Sequence, residues 1–239
     1  MRVLSRFISV IILGLLVIAG WYANEVRIAR EQTPALVAAA LEQYGAELAP
    51  AALSSERKAM LLAIEDPKFL THHGVDLSTP GAGMTTITQG LVKLLYFPQG
   101  FKPGIAKIRQ TLIAQYALDA LTSKEEQLLL FLNMTYLGNE DRKSVHGFAN
   151  AARVYFDKEF AALNDEEFIA LAGMLISPNN LKPGTPASDE RVQRISAYLN
   201  GEIHPASLLD VEYTGKQQGS VAEETLIMFL RLITGAEPA

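Results

Sequence analysis

The sequence predicts an all-α domain behind one membrane-spanning helix. Three observations carry this. Apolar residues recur at helical spacing along most of the chain, alternating strand-like stretches are almost absent, and one charge-free run near the N-terminus is long enough to enter a bilayer. No internal repeat is found.

The elements follow in order. Arg2 and Arg6 precede Phe7 to Ala23, seventeen apolar or small residues without a charge, close to the ~20 that cross a bilayer as a helix. Trp21 and Tyr22 sit where interfacial aromatics belong, and the preceding arginines place residues 1–6 in the cytoplasm, with Arg27 and Arg30 pulling the other way. Trp21-Tyr22-Ala23 offers no small-x-small cleavage site, so 7–23 is expected to be an anchor and not a removed leader. Thr33 and Pro34 are expected to open a helix ending near Tyr44, with Gly45 as its stop. A second helix is expected from Ser55 to Glu65. Residues 75–84 read as loop. The β-branched Thr85-Thr86-Ile87-Thr88 could be a strand, but Ile87, Leu91, Leu94 and Leu95 keep helical spacing, so 86–96 is assigned as helix.

After a loop at 97–104, Ile105, Ile108, Leu112, Ile113 and Tyr116 mark an amphipathic helix to Leu121. Ser123 with Glu126 is a capping box for a helix through Asn133. Helices follow at about 146–156, from Asn164–Glu167 to Ile176, and at about 188–199. Residues 201–219 read as a polar linker. Ser220 with Glu223 opens a last helix within 220–239, apolar from Leu226 to Ile233.

Composition narrows the function. Of 239 residues, 49% are hydrophobic and 20% charged; without the anchor, roughly 200 remain, enough for one domain with a real core. A net charge of −5 argues against nucleic acid as partner. The absence of cysteine excludes disulfides, thiolate zinc sites and thiol catalysis, and with four histidines a multi-histidine metal site is not expected.

Glu65 and Asp66 arrive where Pro67 stops the second helix. The helix dipole favours cations there, so the pair is either solvated loop charge or held for chemistry. A glutamate behind an apolar helix face loses hydration, which raises its proton affinity towards that of a working base. Alone, a capping or ion-pairing role would be commoner.

The context is a series of motifs. Glu65, Asp66, Phe69, His72 and Gly74 form the first; Thr86-Ile87-Thr88-Gln89 with Lys93 the second. Ser123-Lys124-Glu125 and Leu132-Asn133, Tyr136 and Gly138 follow, then Gly147, Ala151-Ala152, Tyr155-Phe156 and Lys158, and last Leu171-Ala172-Gly173 through Pro178 and Pro183. With these motifs in this order, the chain resembles family 51 peptidoglycan glycosyltransferase domains of class A penicillin-binding proteins and monofunctional transglycosylases. The likeness covers about Ala59 to Ile195, and the glycosyltransferase-like domain is expected over 33–200.

The resemblance implies a lysozyme-like, mainly α-helical fold and lipid II, an undecaprenyl-pyrophosphate disaccharide-peptide, as substrate. It implies that Glu65 is a general base taking the proton from the acceptor's sugar hydroxyl. The pyrophosphate leaving group needs cations or a metal ion; a divalent cation, Mg or Mn, is the one candidate cofactor. Asp66, His72, Thr86, Gln89, Lys93, Lys102, Lys107 and Arg109 are the candidate substrate-binding residues. Lys93 is the first choice for the pyrophosphate, with a solvated surface lysine the competing role. Thr86 and Gln89 at i and i+3 could offer hydrogen bonds to sugar or phosphate oxygens. Asp66 and His72 read also as supports of the local turn.

The chain departs from the family pattern where a second glutamate is usual: Thr111 stands there, and Asp119 lies eight residues on, roughly 12 Å along the helix. Gly83-Met84-Thr85 and Gly90 also depart, and the loop between Gly74 and Thr86 is short. Two functions follow: a divergent polymerase of lipid II, or an impaired relative that binds lipid II or a cell-wall synthesis partner. A lytic glycosidase would need a second carboxylate across the bond. About 40 residues after Leu199 are too few for a transpeptidase domain, so none is expected in that stretch. The expected location is the cytoplasmic membrane, single-pass, with the domain outside.

Overall fold

The computed structural model describes residues 2–45 and 47–236, with backbone only at Arg2, Val3 and Ser5. Met1, the Arg2 side chain and the last three residues of the expected C-terminal segment therefore lie outside the described residues. Ten helices and one hairpin are present among the described residues. The expected all-α class holds.

Helix α1, Arg2–Tyr44, is one continuous rod of 43 residues with Pro34 inside it. The expected break and restart at Thr33–Pro34 is absent. Proline removes one helical hydrogen bond at a cost of about 3 kcal/mol, and the second half of α1 offsets this by burial. Ala29, Thr33, Val37 and Ala40 form a buried stripe against the domain, each valine-sized side chain contributing about 1.5–3 kcal/mol. The Thr33 hydroxyl donates to the Ala29 carbonyl at 2.7 Å and meets the Tyr96 hydroxyl at 2.7 Å. The first half is bare, with Leu13, Leu16 and Val17 more than 60% exposed. From Arg6 on, the helix is long and apolar enough to cross a membrane. Two further side-chain ties fasten it to the domain: Arg109 pairs with Glu25 at 2.7 Å, and Arg30 donates to the Tyr116 carbonyl.

Helix α2, Ser55–Glu65, is capped by Ser54 and buries Leu61, Leu62 and Ile64 against α8 and α9 (Asp165–Gly173 and Pro186–Leu199). Helix α3, Ile87–Tyr96, follows the 66–86 loop. The helix expected over 105–121 is realised with a change. Helix α4, Ile105–Ile113, passes into a five-residue π turn, Ala114–Leu118, before α5, Asp119–Leu121. The π turn receives Arg30 on a carbonyl and lies against Gly74, whose φ is +78°. A Cβ at Gly74 would stand 2.6 Å from the Ala114 carbonyl oxygen, so only glycine fits the end of the 66–74 turn.

Helix α6, Lys124–Met134, opens on the expected capping box. Strands β1, Tyr136–Glu140, and β2, Lys143–His146, then form an antiparallel hairpin not expected from sequence. Its two-residue turn, Asp141 and Arg142, has φ of 47° and 64°, the primed geometry that matches strand twist. Helix α7 is accordingly shorter than expected, Phe148–Phe156. Phe131, Phe148, Phe160 and Phe168 form the aromatic centre of the core, with ring centroids 6.0–6.4 Å apart.

Residues 201–219 are irregular, but they are not a free linker: Leu208, Asp210 and Tyr213 are buried. Helix α10, Val221–Thr234, docks through Arg231 to the Leu77 carbonyl and through Gln115 to the Thr234 carbonyl, each at 3.0 Å. Its Phe229 and Ile233 face Ile18 and Tyr22 of α1 across an apolar crevice.

Candidate active site

A cleft of about 510 Å³ opens between the end of α2, the 81–85 loop, α3, the hairpin and the turn after α8. Glu65 and Lys93 are the charged groups lining it. Helix α2 delivers Glu65 because its apolar face is spent on Leu61, Leu62 and Ile64, and Pro67 stops the chain just beyond. The half-buried Glu65 carboxylate has no hydrogen bond or ion pair with any described residue. Burial, then the charge of Asp66, pushes its proton affinity up to about 8, against the opposing pull of Arg191 and Lys93. Such a group accepts a proton near neutral pH.

Asp66 faces the other way. Nearly fully buried, it accepts the Ile87 N–H at 3.0 Å and binds Nε2 of His72 at 2.9 and 3.0 Å. It staples the end of α2 to the start of α3, and His72 locks the turn. Neither residue lines the cleft.

Thr86 and Gln89 do not face the cleft either. They form the capping box of α3: the Gln89 N–H donates to Thr86 Oγ1 at 3.1 Å, and the Thr86 N–H to Gln89 Oε1 at 3.0 Å. Thr86 also donates to the Gly74 carbonyl at 2.7 Å, and the Gln89 amide to Thr111 Oγ1 at 2.9 Å. Both are buried, so an open row of sugar-binding hydrogen bonds at i and i+3 is not what these residues make. Thr111, too, is wholly buried and engaged. Asp119 is taken up by Lys124 at 2.5 Å and Gln127 at 3.1 Å.

The four expected cations separate. Lys93 lines the cleft, its Nζ 5.3 Å from the centre of the Phe101 ring; burial lowers its proton affinity while Glu65 raises it. Lys107 sits behind the wall and donates to the Met84 carbonyl at 2.5 Å and Thr85 Oγ1 at 3.1 Å. Burial, then the charge of Lys93, holds its amine well below the ordinary lysine value. Arg109 turns to Glu25 and stacks on Phe97 at 5.1 Å. Lys102 is exposed on the 97–104 loop. The geometry therefore brings Glu65 and Lys93 together, backs them with Lys107, and leaves Arg109 and Lys102 outside the cleft.

The cleft does not suit a resident divalent cation. Such ions take several oxygen ligands, Glu65 is the one carboxylate of the lining, and no three Asp, Glu or His converge among the described residues.

Sequence reasoning missed Arg191, Tyr198 and Tyr213. Arg191 is 2% exposed and acts electrostatically on Glu65, yet it lies in the run Asp189-Glu190-Arg191, which reads as a solvated helix face. The Tyr213 and Tyr198 hydroxyls donate to the carbonyls of Ile64 and Ala63, at 3.0 and 3.3 Å. No spacing in the sequence links either tyrosine to α2.

Residues 35–201 match the family model described as Transglycosylase. The chain is 28% identical over 211 residues to "Putative transglycosylase H16_A0665" of Cupriavidus necator, covering 83% of this chain and 88% of that protein. It is 34% identical over 138 residues to penicillin-binding protein 1B of Buchnera aphidicola, covering 52% of this chain and 18% of the relative. With penicillin-binding protein 1A of Neisseria gonorrhoeae the figures are 32% over 165 residues, 64% and 20%. The chain thus spans about a fifth of the length of these penicillin-binding proteins. A match that takes in α2, the cleft wall and α9 leaves one assignment: this chain belongs to the transglycosylase family, as a peptidoglycan glycosyltransferase domain of the family 51 type.

Proposed function

We propose that the chain polymerises lipid II into glycan strands, with Glu65 as the general base. The acceptor's sugar hydroxyl oxygen attacks the anomeric carbon of the donor, and the bond from that carbon to the lipid pyrophosphate oxygen breaks. The hydroxyl proton passes to Glu65, and the electron pair leaves with the pyrophosphate. Lys93, across the same cleft, meets the charge that develops there, and Lys107 fixes the 84–85 wall beside it. The observation that carries this reading is the pairing of one unbonded carboxylate of raised proton affinity with one lysine in a single cleft.

In the proposed arrangement residues 7–23 lie in the bilayer, residues 1–6 in the cytoplasm and 33–200 outside, where a lipid-linked substrate meets the cleft. Cell-wall synthesis proteins are the proposed protein partners. One observation favours a second reading, a protein that binds lipid II without polymerising it. Thr111, which the family resemblance sets where a second glutamate is usual, is buried and engaged by the Gln89 amide.

Labelled lipid II given to the purified full chain in detergent, beside Glu65→Gln, separates these readings. Glycan strands from the wild type alone support the base. Lipid II binding without strands favours the second reading, and equal strands from both proteins remove Glu65 from the mechanism.

A further inference from the structure

The segment between α9 and α10 lies almost wholly beyond the family match, which ends at residue 201. It is nonetheless built into the cleft. The Gly81 N–H donates to the Ser207 carbonyl at 2.9 Å and the Gly83 N–H to the Leu208 carbonyl at 2.8 Å, and Val211 lines the cleft. The loop has its own internal frame: buried Asp210 accepts the N–H groups of Ala206, Thr214 and Gly215 at 2.9–3.1 Å.

This frame delivers Tyr213, which is 1% exposed and has a φ of +56°. A bulky residue holds that conformation only where its surroundings over-determine it. Here they do. The ring stacks on Tyr198 at 4.4 Å and 18°, the Arg191 guanidinium lies 4.7 Å from its centre, and its hydroxyl holds the Ile64 carbonyl. Carbonyls at a helix C-terminus lack helical partners, and Ile64 immediately precedes Glu65.

Arg191 is the second unexplained group. Its Nε and one terminal nitrogen are buried without a hydrogen-bond partner. A buried guanidinium left so is costly, and packing alone would be better served by methionine or leucine.

We propose that Tyr213 and Arg191 are positioning residues for Glu65. Tyr213 fixes the last turn of α2 so that the carboxylate points into the cleft, and Arg191, buried on α9 against the Tyr213 ring that holds the Ile64 carbonyl, brings a positive charge to the same helix end. This rests on Glu65 being the base. The charged and titratable groups that act electrostatically on Glu65 are Asp66 at its own helix end, Lys93 on α3, Arg191 on α9 and Tyr213 from the loop.

The test is the rate of lipid II polymerisation by the full chain in detergent as a function of pH. Arg191→Met is expected to move the acid limb up by about one pH unit, and Arg191→Lys to restore it. A purely structural arginine would lower the rate and leave the limb in place, and that result overturns its half of the proposal. If Arg191→Met does not fold, Arg191→Gln takes its place with the same two outcomes. Tyr213→Phe is expected to lower kcat about 5–20-fold with KM for lipid II within twofold; kcat within twofold of wild type overturns the tyrosine half. A readout without turnover separates this from failure of the base itself. The pH at which wild-type thermal stability falls relative to Glu65→Gln should also move up in the Arg191→Met background, and an unmoved midpoint overturns the coupling.

Discussion

Replacing Glu65 by glutamine should stabilise the protein at alkaline pH and not at acid pH. The folded carboxyl holds its proton up to about pH 8, while an ordinary glutamate releases it near 4.5. Between these values the folded state binds more protons than the unfolded state, so stability is greatest below about pH 4.5 and is lost as pH rises to about 8. A displacement of this size corresponds to about 5 kcal/mol for full ionisation in an unrelaxed site. The cleft admits solvent to the half-buried carboxylate, so about half of that, roughly 2–3 kcal/mol, is expected. Glutamine keeps the shape and removes the charge. Thermal unfolding followed by circular dichroism in detergent should then show Glu65→Gln melting about 5–10 °C above wild type at pH 9. The difference should vanish near pH 5. An equal difference at both pH values, or a variant less stable at pH 9, would refute an energetically costly carboxylate in the cleft.

Other substitutions divide framework from chemistry. Asp66→Ala leaves the Ile87 N–H and His72 without their buried partner and should cost about 3–5 kcal/mol in denaturant unfolding; a loss below 1 kcal/mol would remove the staple. Gly74→Ala must adopt a φ near +78° with its Cβ 2.6 Å from the Ala114 oxygen. It should cost at least about 2 kcal/mol, which the same unfolding curves would report. Lys93→Met should lower kcat/KM for lipid II at least tenfold, since removing one stabilising donor costs about 10²–10³ in favourable sites. Lys102→Met and Arg109→Met, outside the cleft, should stay within threefold in the same assay; comparable losses in all three would dissolve the distinction between them.

Local rules read the local features correctly. Pro67 ends α2 at Glu65, and the pairs Ser123–Glu126, Asn164–Glu167 and Ser220–Glu223 are the capping boxes that their spacing announces. The same rule also explains one misreading. Thr86 and Gln89 stand three apart for capping, and a pair spent on backbone N–H groups has little left for a sugar. Pro34 does not open a new helix because the buried stripe of α1 is a tertiary effect that outweighs one lost hydrogen bond. The hairpin carries no turn signal in the sequence because Asp141-Arg142 makes a primed turn without glycine.

At the candidate site, the two charged residues that line the cleft, Glu65 and Lys93, stand in motifs that the sequence singles out. The sequence separates Glu65 from Asp66 only as base candidate and turn support; that Asp66 supports the turn by holding the Ile87 N–H and His72 follows from the chain direction after Glu65. Arg109 shares a helix with Lys107, yet its position turns it to Glu25 of α1. Tyr213 reaches Ile64 across 149 positions of sequence, a contact that no periodicity encodes.

The most direct measurement is the initial rate of lipid II polymerisation by the full chain from pH 5.5 to 9.5, beside Glu65→Gln. The wild-type rate should climb tenfold per pH unit on its acid limb and level off near pH 8, with the variant inactive throughout. A flat wild-type profile, or a Glu65→Gln rate that follows the wild type, would contradict Glu65 as the base.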